Sequence, residues 1–164
     1  MASNSQGIPA GAPLFIPRLG AIIQLRNVSL PPVVDSRIGL AGPLYGLLPT
    51  LFCVACFFLT HARIWWALAS TNAFINLFNL IPIWQLDGAR GMDSFTRRQQ
   101  MVVLGLSLAL WAASSGIFFA ISLGIGYRLF LKKETSSEPD QFGLLQYAGL
   151  PAAYAAVLRV FPPK

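Results

Sequence analysis

The stretch Ile38-Gly-Leu-Ala-Gly-Pro-Leu-Tyr-Gly-Leu-Leu-Pro-Thr-Leu-Phe-Cys-Val-Ala-Cys-Phe-Phe-Leu-Thr60 carries no charged residue from end to end. About 20 apolar residues suffice for a helix to cross a bilayer, so this run predicts a span over 38–60. Gly39, Gly42, Pro43 and Gly46 open it, small residues that let a second helix come close. His61-Ala62-Arg63 closes it with a polar turn, where a histidine reads as interfacial.

The next uncharged run, 64–84, has a different character. Trp65 and Trp66 anchor its start at the interface. Asn72, Asn76, Asn79 and Pro82 follow, then Gln85 and Asp87. Asn76 and Asn79 lie one turn apart and share a face. Pro82 removes a helical hydrogen bond and biases Ile81 away from helix, so the chain is expected to unwind there. Beyond a charged loop over 85–100, a third span is predicted at 101–127, with Gly105, Gly116, Ala120 and Gly124 as packing positions. A second polar loop leads to a weaker fourth span at 142–161, interrupted by Gln146 and Pro151; lying flat on the membrane surface is its alternative. Residues 1–37 hold short apolar runs, Pro13–Pro17 and Gly20–Leu25, broken by Pro and Gly. They read as one or two strands at the membrane interface.

Composition supports the same class. The chain has 164 residues, 55% hydrophobic and 11% charged, with a mean hydropathy of +0.60. Soluble domains carry about 25% charged residues. The expectation is one all-α membrane domain over 1–164, with about four transmembrane helices and a small interfacial β element. Membrane lipids are its first partner.

The formal net charge is +6. Its basic residues sit at the ends of apolar runs rather than in a stripe with aromatics, which argues against nucleic-acid binding. With four crossings, Arg18, Arg26, Arg37, Arg90, Arg97, Arg98, Arg159 and Lys164 fall on one side. Arg63, Arg128, Lys132 and Lys133 fall on the other. The positive-inside rule makes the first side cytoplasmic, the Asp87 end included. Met1–Pro13 has neither the basic start nor the apolar core of a signal peptide, so the spans themselves are expected to direct insertion. Cys53 and Cys56 sit one helical turn apart with no basic neighbour, and read as packing residues rather than a redox or metal pair.

The chemistry concentrates in Asn79-Leu-Ile-Pro-Ile-Trp-Gln-Leu-Asp-Gly88. A carboxylate at the end of an apolar span is costly unless paired, hydrated or bound to a cation. Gly88 permits a sharp turn beside it. Three readings stay open on pattern alone: a plain turn leaving the membrane, an ion site in a small transporter, or a metal ligand in an enzyme.

The spacing Asn79-x-x-Pro82-x-x-x-x-Asp87-Gly88 resembles the second metal motif of the site-2 protease family, zinc intramembrane metalloproteases. Pro13–Ala21 resembles the strand region after that family's first metal motif, and Ala41-Gly42-Pro43-Leu44 resembles the start of its next span. Gln85-Leu86-Asp87-Gly88-Ala89-Arg90, followed by Arg97-Arg98-Gln99, is similar to one bacterial branch. The resemblance covers about Gly7 to the end of the third span and implies a multi-pass protein of a bacterial inner membrane. It implies zinc as cofactor and a transmembrane protein as substrate. Asp87 is then the third metal ligand, and Asn79 positions substrate or the oxyanion. Phe15, Ile16, Ile22 and Pro82 meet extended substrate.

The family's His-Glu-x-x-His, which supplies two ligands and the general base, does not occur in these residues. The lone histidine is His61. As written, the chain is expected neither to hold catalytic zinc tightly nor to cut peptides. A start codon placed too far downstream is the favoured explanation, ahead of truncation or an inactive relative. The alternative function is a non-catalytic membrane protein that binds helices or partner proteins through the retained groove.

Overall fold

The computed structural model describes residues 14–16, 20–22, 31–113, 116–131 and 136–160. The chain divides into two compact units, 1–31 and 32–164. In the first, β1 (Leu14–Ile16) pairs antiparallel with β2 (Gly20–Ile22), in the register Leu14 to Ile22, Phe15 to Ala21 and Ile16 to Gly20. The sequence reading extended the second strand to Leu25; residues 23–25 lie outside the described residues.

The second unit is all helix: α1 (Pro32–Thr60), α2 (Arg63–Asn79), the short α3 (Asp87–Gly91), α4 (Arg97–Ala113), α5 (Ile117–Leu131) and α6 (Gln141–Val160). Among the described residues one helix, α1, is long and apolar enough to cross a membrane; α5 is apolar but shorter. α1 begins six residues before the apolar run, at Pro32. Proline suits a first helical position because its missing N–H costs nothing there. The polar residues that made this first turn look like loop are each satisfied. Ser36 Oγ donates to Gly91 O at 2.8 Å, Asp35 pairs with Arg90, and Arg37 reaches Asp140 at 2.9 Å.

α2 ends at Asn79, five residues short of the predicted limit. Pro82 explains this, since it cannot donate to the ladder and its ring opposes helix at Ile81. A tight turn follows, with Ile83 N–H donating to Ile81 O at 2.9 Å. Trp84 then sits in the left-handed region at φ 50°.

The predicted span 101–127 is a correction. It is two helices folded back on one another, α4 and α5. Ser107 Oγ and Ser122 Oγ meet at 2.9 Å, and the Trp111 and Phe119 rings lie 5.0 Å apart. Ser114-Ser115-Gly116 separates them, three residues of modest to poor helix propensity in a row. At 1.5 Å per residue the two helices are about 25 and 22 Å long.

That hairpin moves charge from one end of the bundle to the other. Arg128 donates to Ala89 O at 3.0 Å and pairs with Asp93 at 2.5 Å, so it shares an end with Arg90 instead of opposing it. Arg159 donates to Ala113 O at the far end of α4. The core between these ends is built on Leu40, Leu77, Leu80, Phe95, Phe118, Tyr147 and Tyr154, all nearly inaccessible.

Candidate functional site

The segment from Asn79 to Gly91 is a loop pinned at several points. Tyr147 Oη on α6 donates to Leu80 O at 2.6 Å. Gly88 lies directly on the Leu80 backbone, where any Cβ would collide with the Leu80 carbonyl. The loop is therefore closed on itself between residues 80 and 88, and only glycine permits it. Pro82 is buried, with its ring against Gly124 of α5. A proline, a glycine and a tyrosine thus deliver Asp87 to the first position of α3.

Asp87 meets the glycine face of α1. A Cβ at Gly42 would lie 2.9 Å from Asp87 Oδ2, and one at Gly39 would lie 2.9 Å from Asp87 O and 2.8 Å from Arg90 Cβ. Gly46, one turn on, receives the Asn76 amide in the same way. The small residues near the start of α1 therefore make room for the acidic segment and for α2.

Asp87 is half-buried, and among the described residues its carboxylate has no hydrogen bond and no ion pair. Burial raises its carboxyl above the ordinary value, with Arg90 acting in the opposite direction. Arg90 does not close on it, because its Nε donates to Asp35 Oδ1 at 3.1 Å and its Nη2 to the same oxygen. That bond to Asp35 is the main reason the guanidinium holds its proton more tightly than usual. Asp35 thereby keeps the nearest cation occupied and leaves Asp87 available. Asp35 was not among the residues expected to matter; its signal was its place opposite Arg90 across two polar segments, visible only once α1 starts at Pro32.

The other candidates separate. Asn79 is the last residue of α2, half-buried, with no side-chain hydrogen bond among the described residues. Its neighbour Asn76 is buried and donates to Asn72 O at 2.8 Å, while Asn72 donates to Gly46 O at 2.8 Å. Asn76 is therefore a packing residue between α1 and α2. Phe15, Ile16 and Ile22 lie on the strand pair of the first unit. His61 is exposed, at φ 53° in the turn between α1 and α2. From Gly42 to that turn the helix rises by about 28 Å, which puts His61 out of reach of Asp87. Cys53 and Cys56 are free and half-buried on α1, with Cys53 packed against the apolar core.

A catalytic zinc needs three protein ligands and an open position. No group of three His, Cys, Asp or Glu residues able to hold a metal occurs among the described residues. Asp87 alone does not fit that ion. No protein-family model, curated protein or solved structure matches the chain.

Proposed function

We propose that this chain is the Asn-x-x-Pro…Asp-Gly half of a site-2-protease-like membrane metallopeptidase, with Asp87 the carboxylate that faces the metal once a segment bearing His-Glu-x-x-His completes the site. The observation that carries this is the Asp87 carboxylate itself. It is half-buried, without a hydrogen-bond or ion-pair partner among the described residues, and set on Gly42 while Asp35 occupies Arg90. A carboxylate kept in that condition costs stability unless a cation or substrate uses it. The 164 residues present are not competent alone, since they lack the other two ligands and the general base.

The membrane assignment belongs to the same reading. α1 exposes Tyr45, Leu48, Phe52 and Leu59, each more than 60% accessible, as lipid contact requires. The charged end, with Arg37, Arg90, Arg97, Arg98 and Arg128, is the cytoplasmic one, and Arg63 and Arg159 mark the opposite side. The chain is multi-pass, with α1, α2, the α4–α5 hairpin and α6 inside the bilayer.

The test is the intact mass of the protein from its source membrane, joined to a cleavage assay on a membrane-embedded reporter. A longer product with His-Glu-x-x-His should cut the reporter, and Asp87→Ala should abolish cutting. Equal cutting by Asp87→Ala removes the ligand assignment. The exposed α1 face also favours a second reading, a non-catalytic protein that binds a partner helix there. Specific crosslinking from Leu48 to a partner helix, with no cleavage by any longer form, would select it.

A further inference from the structure

Three contacts fix the level of α4 against α5. Arg97 Nη2 donates to Leu129 O at 3.4 Å, Ser107 meets Ser122, and the Trp111 ring lies beside that of Phe119. Along this hairpin the side chains left exposed are apolar, Val102, Leu106, Phe119 and Leu123 among them. Cations close the strip at both ends. Arg97 and Arg128 stand at one end, and Arg159 donates to Ala113 O at the other. Trp111 and Tyr127 sit just inside those cations, as aromatics do at a membrane interface. From Arg97 to Ala113 the helix rises about 24 Å, whereas the hydrocarbon core of a bilayer is about 30 Å thick. Tilting would shorten the strip further, and basic side chains ordinarily make up such a shortfall by reaching outward. These three are held: Arg97 on Leu129 O, Arg128 on Ala89 O and Asp93, Arg159 on Ala113 O. α1 differs, since its uncharged run from Ile38 to Thr60 is about 34 Å long. It packs on α2, α3 and α6, while the hairpin packs on α6 through α4.

We propose that the face of the α4–α5 hairpin meets a locally thinned bilayer and gathers short-chain phospholipid, while α1 meets lipid of ordinary length. A strip too short for the hydrocarbon core must either draw its cations into hydrocarbon or draw the two lipid surfaces together. The first is costly, and the second is a modest cost per ångström. The thinned flank is also the one that covers the broken segment before Asp87, because Gly124 of α5 receives the Pro82 ring. Gly124 lies about 6 Å along α5 from Arg128. A bilayer thinned there leaves water within reach of the open backbone of the Pro82 turn, which hydrocarbon would not tolerate. The inference rests on the membrane reading and is independent of the peptidase reading.

The test places a photoreactive leucine analogue at Leu123, at Leu106 or at Leu48, exposed positions on α5, α4 and α1. The full chain is reconstituted in vesicles of equimolar dimyristoleoyl and dierucoyl phosphatidylcholine, a short-chain and a long-chain lipid with one headgroup. After illumination, the mass of each adduct names the lipid captured. Leu123 and Leu106 should capture the short-chain lipid about threefold over the long-chain one, the order expected of several ångströms of mismatch. Leu48 should capture the two in similar amounts. Equal capture of both lipids at all three positions overturns the proposal and leaves the membrane reading standing. So does a short-chain preference as strong at Leu48, which would belong to the whole bundle rather than to the hairpin. Crosslinks from Leu123 or Leu106 to a second copy of the chain in place of lipid also overturn it, making the hairpin an oligomer contact. No lipid adduct at any of the three positions removes the membrane reading itself, and this proposal with it.

Discussion

Gly88 has no room for a side chain, and that single fact sets what the acidic segment can tolerate. Gly88→Ala drives a methyl into the Leu80 carbonyl, and overpacking of this kind costs about 1–3 kcal/mol. Gly105→Ala is the matched control. Nothing lies within 4 Å of that position, so the gain in helix propensity, up to about 1 kcal/mol, should leave the protein unharmed or slightly firmer. Unfolding midpoints of the two variants should move in opposite directions. Asp87 behaves differently again. Its folded-state proton affinity is raised, chiefly by burial. The stability it contributes is therefore complete below its ordinary pKa of 3.8 and is lost as pH rises through the higher folded value. In the metal-free protein, Asp87→Asn should unfold later than the parent near about pH 7, with the difference closing toward about pH 4. A parent at least as stable as the variant near neutral pH would mean that Asp87 has a partner after all. The Asn79-x-x-Pro…Asp-Gly spacing was legible because proline and glycine act locally. Asp35 and Tyr147 were not, because their partners are distant in the chain and no periodicity announces them.

At the scale of the element, the informative failure is the stretch 101–127. Apolar periodicity does not register a reversal when the residues on both sides of the turn are equally apolar, and Ser114-Ser115-Gly116 is a weak punctuation mark. α1 and α2 were legible in place and type, since long uncharged runs bounded by Arg37 and His61-Ala62-Arg63 leave little choice. Their limits shifted where polar residues found partners, at Asp35–Arg37, or where Pro82 acted, at Asn79. The hairpin has a direct check. Ser107→Cys with Ser122→Cys should form a disulfide in the otherwise intact protein, because the two hydroxyls stand 2.9 Å apart. In a continuous helix those positions lie about 22 Å apart along the axis and cannot be bridged. Failure to crosslink under oxidation, in a folded variant, would restore the single long helix.

At the scale of the molecule, the hairpin redistributes the charged residues. The sequence reading put Arg128 opposite Arg90 and set Arg159 beside it; folding reverses both. Among the described residues Arg37, Arg90, Arg97, Arg98 and Arg128 share the Asp87 end, and Arg63 and Arg159 the other, which under the proposed membrane reading makes the Asp87 end the cytoplasmic one. If the bundle is multi-pass as proposed, single cysteines introduced at Arg98 and at Gly116 should react with impermeant reagents from opposite sides of the membrane. Labelling at Gly116 should match that of His61→Cys. Reaction of positions 98 and 116 from the same side would refute the arrangement.

The pair between Arg37 and Asp140 joins residues 103 positions apart, which gives assembly a clock. Synthesis at about 5–20 residues per second separates their arrival by roughly 5–20 s. Through that interval the start of α1 can be tied to α3 through Ser36 and Asp35 and not yet to α6. Its arginine has neither Asp140 to pair with nor the Phe142 ring, 4.3 Å away in the finished protein, to stack on. The last helix described therefore completes the fastening of the first, so a ribosome that stops before Asp140 releases a bundle whose opening turn keeps its ties to α3 and lacks those to α6.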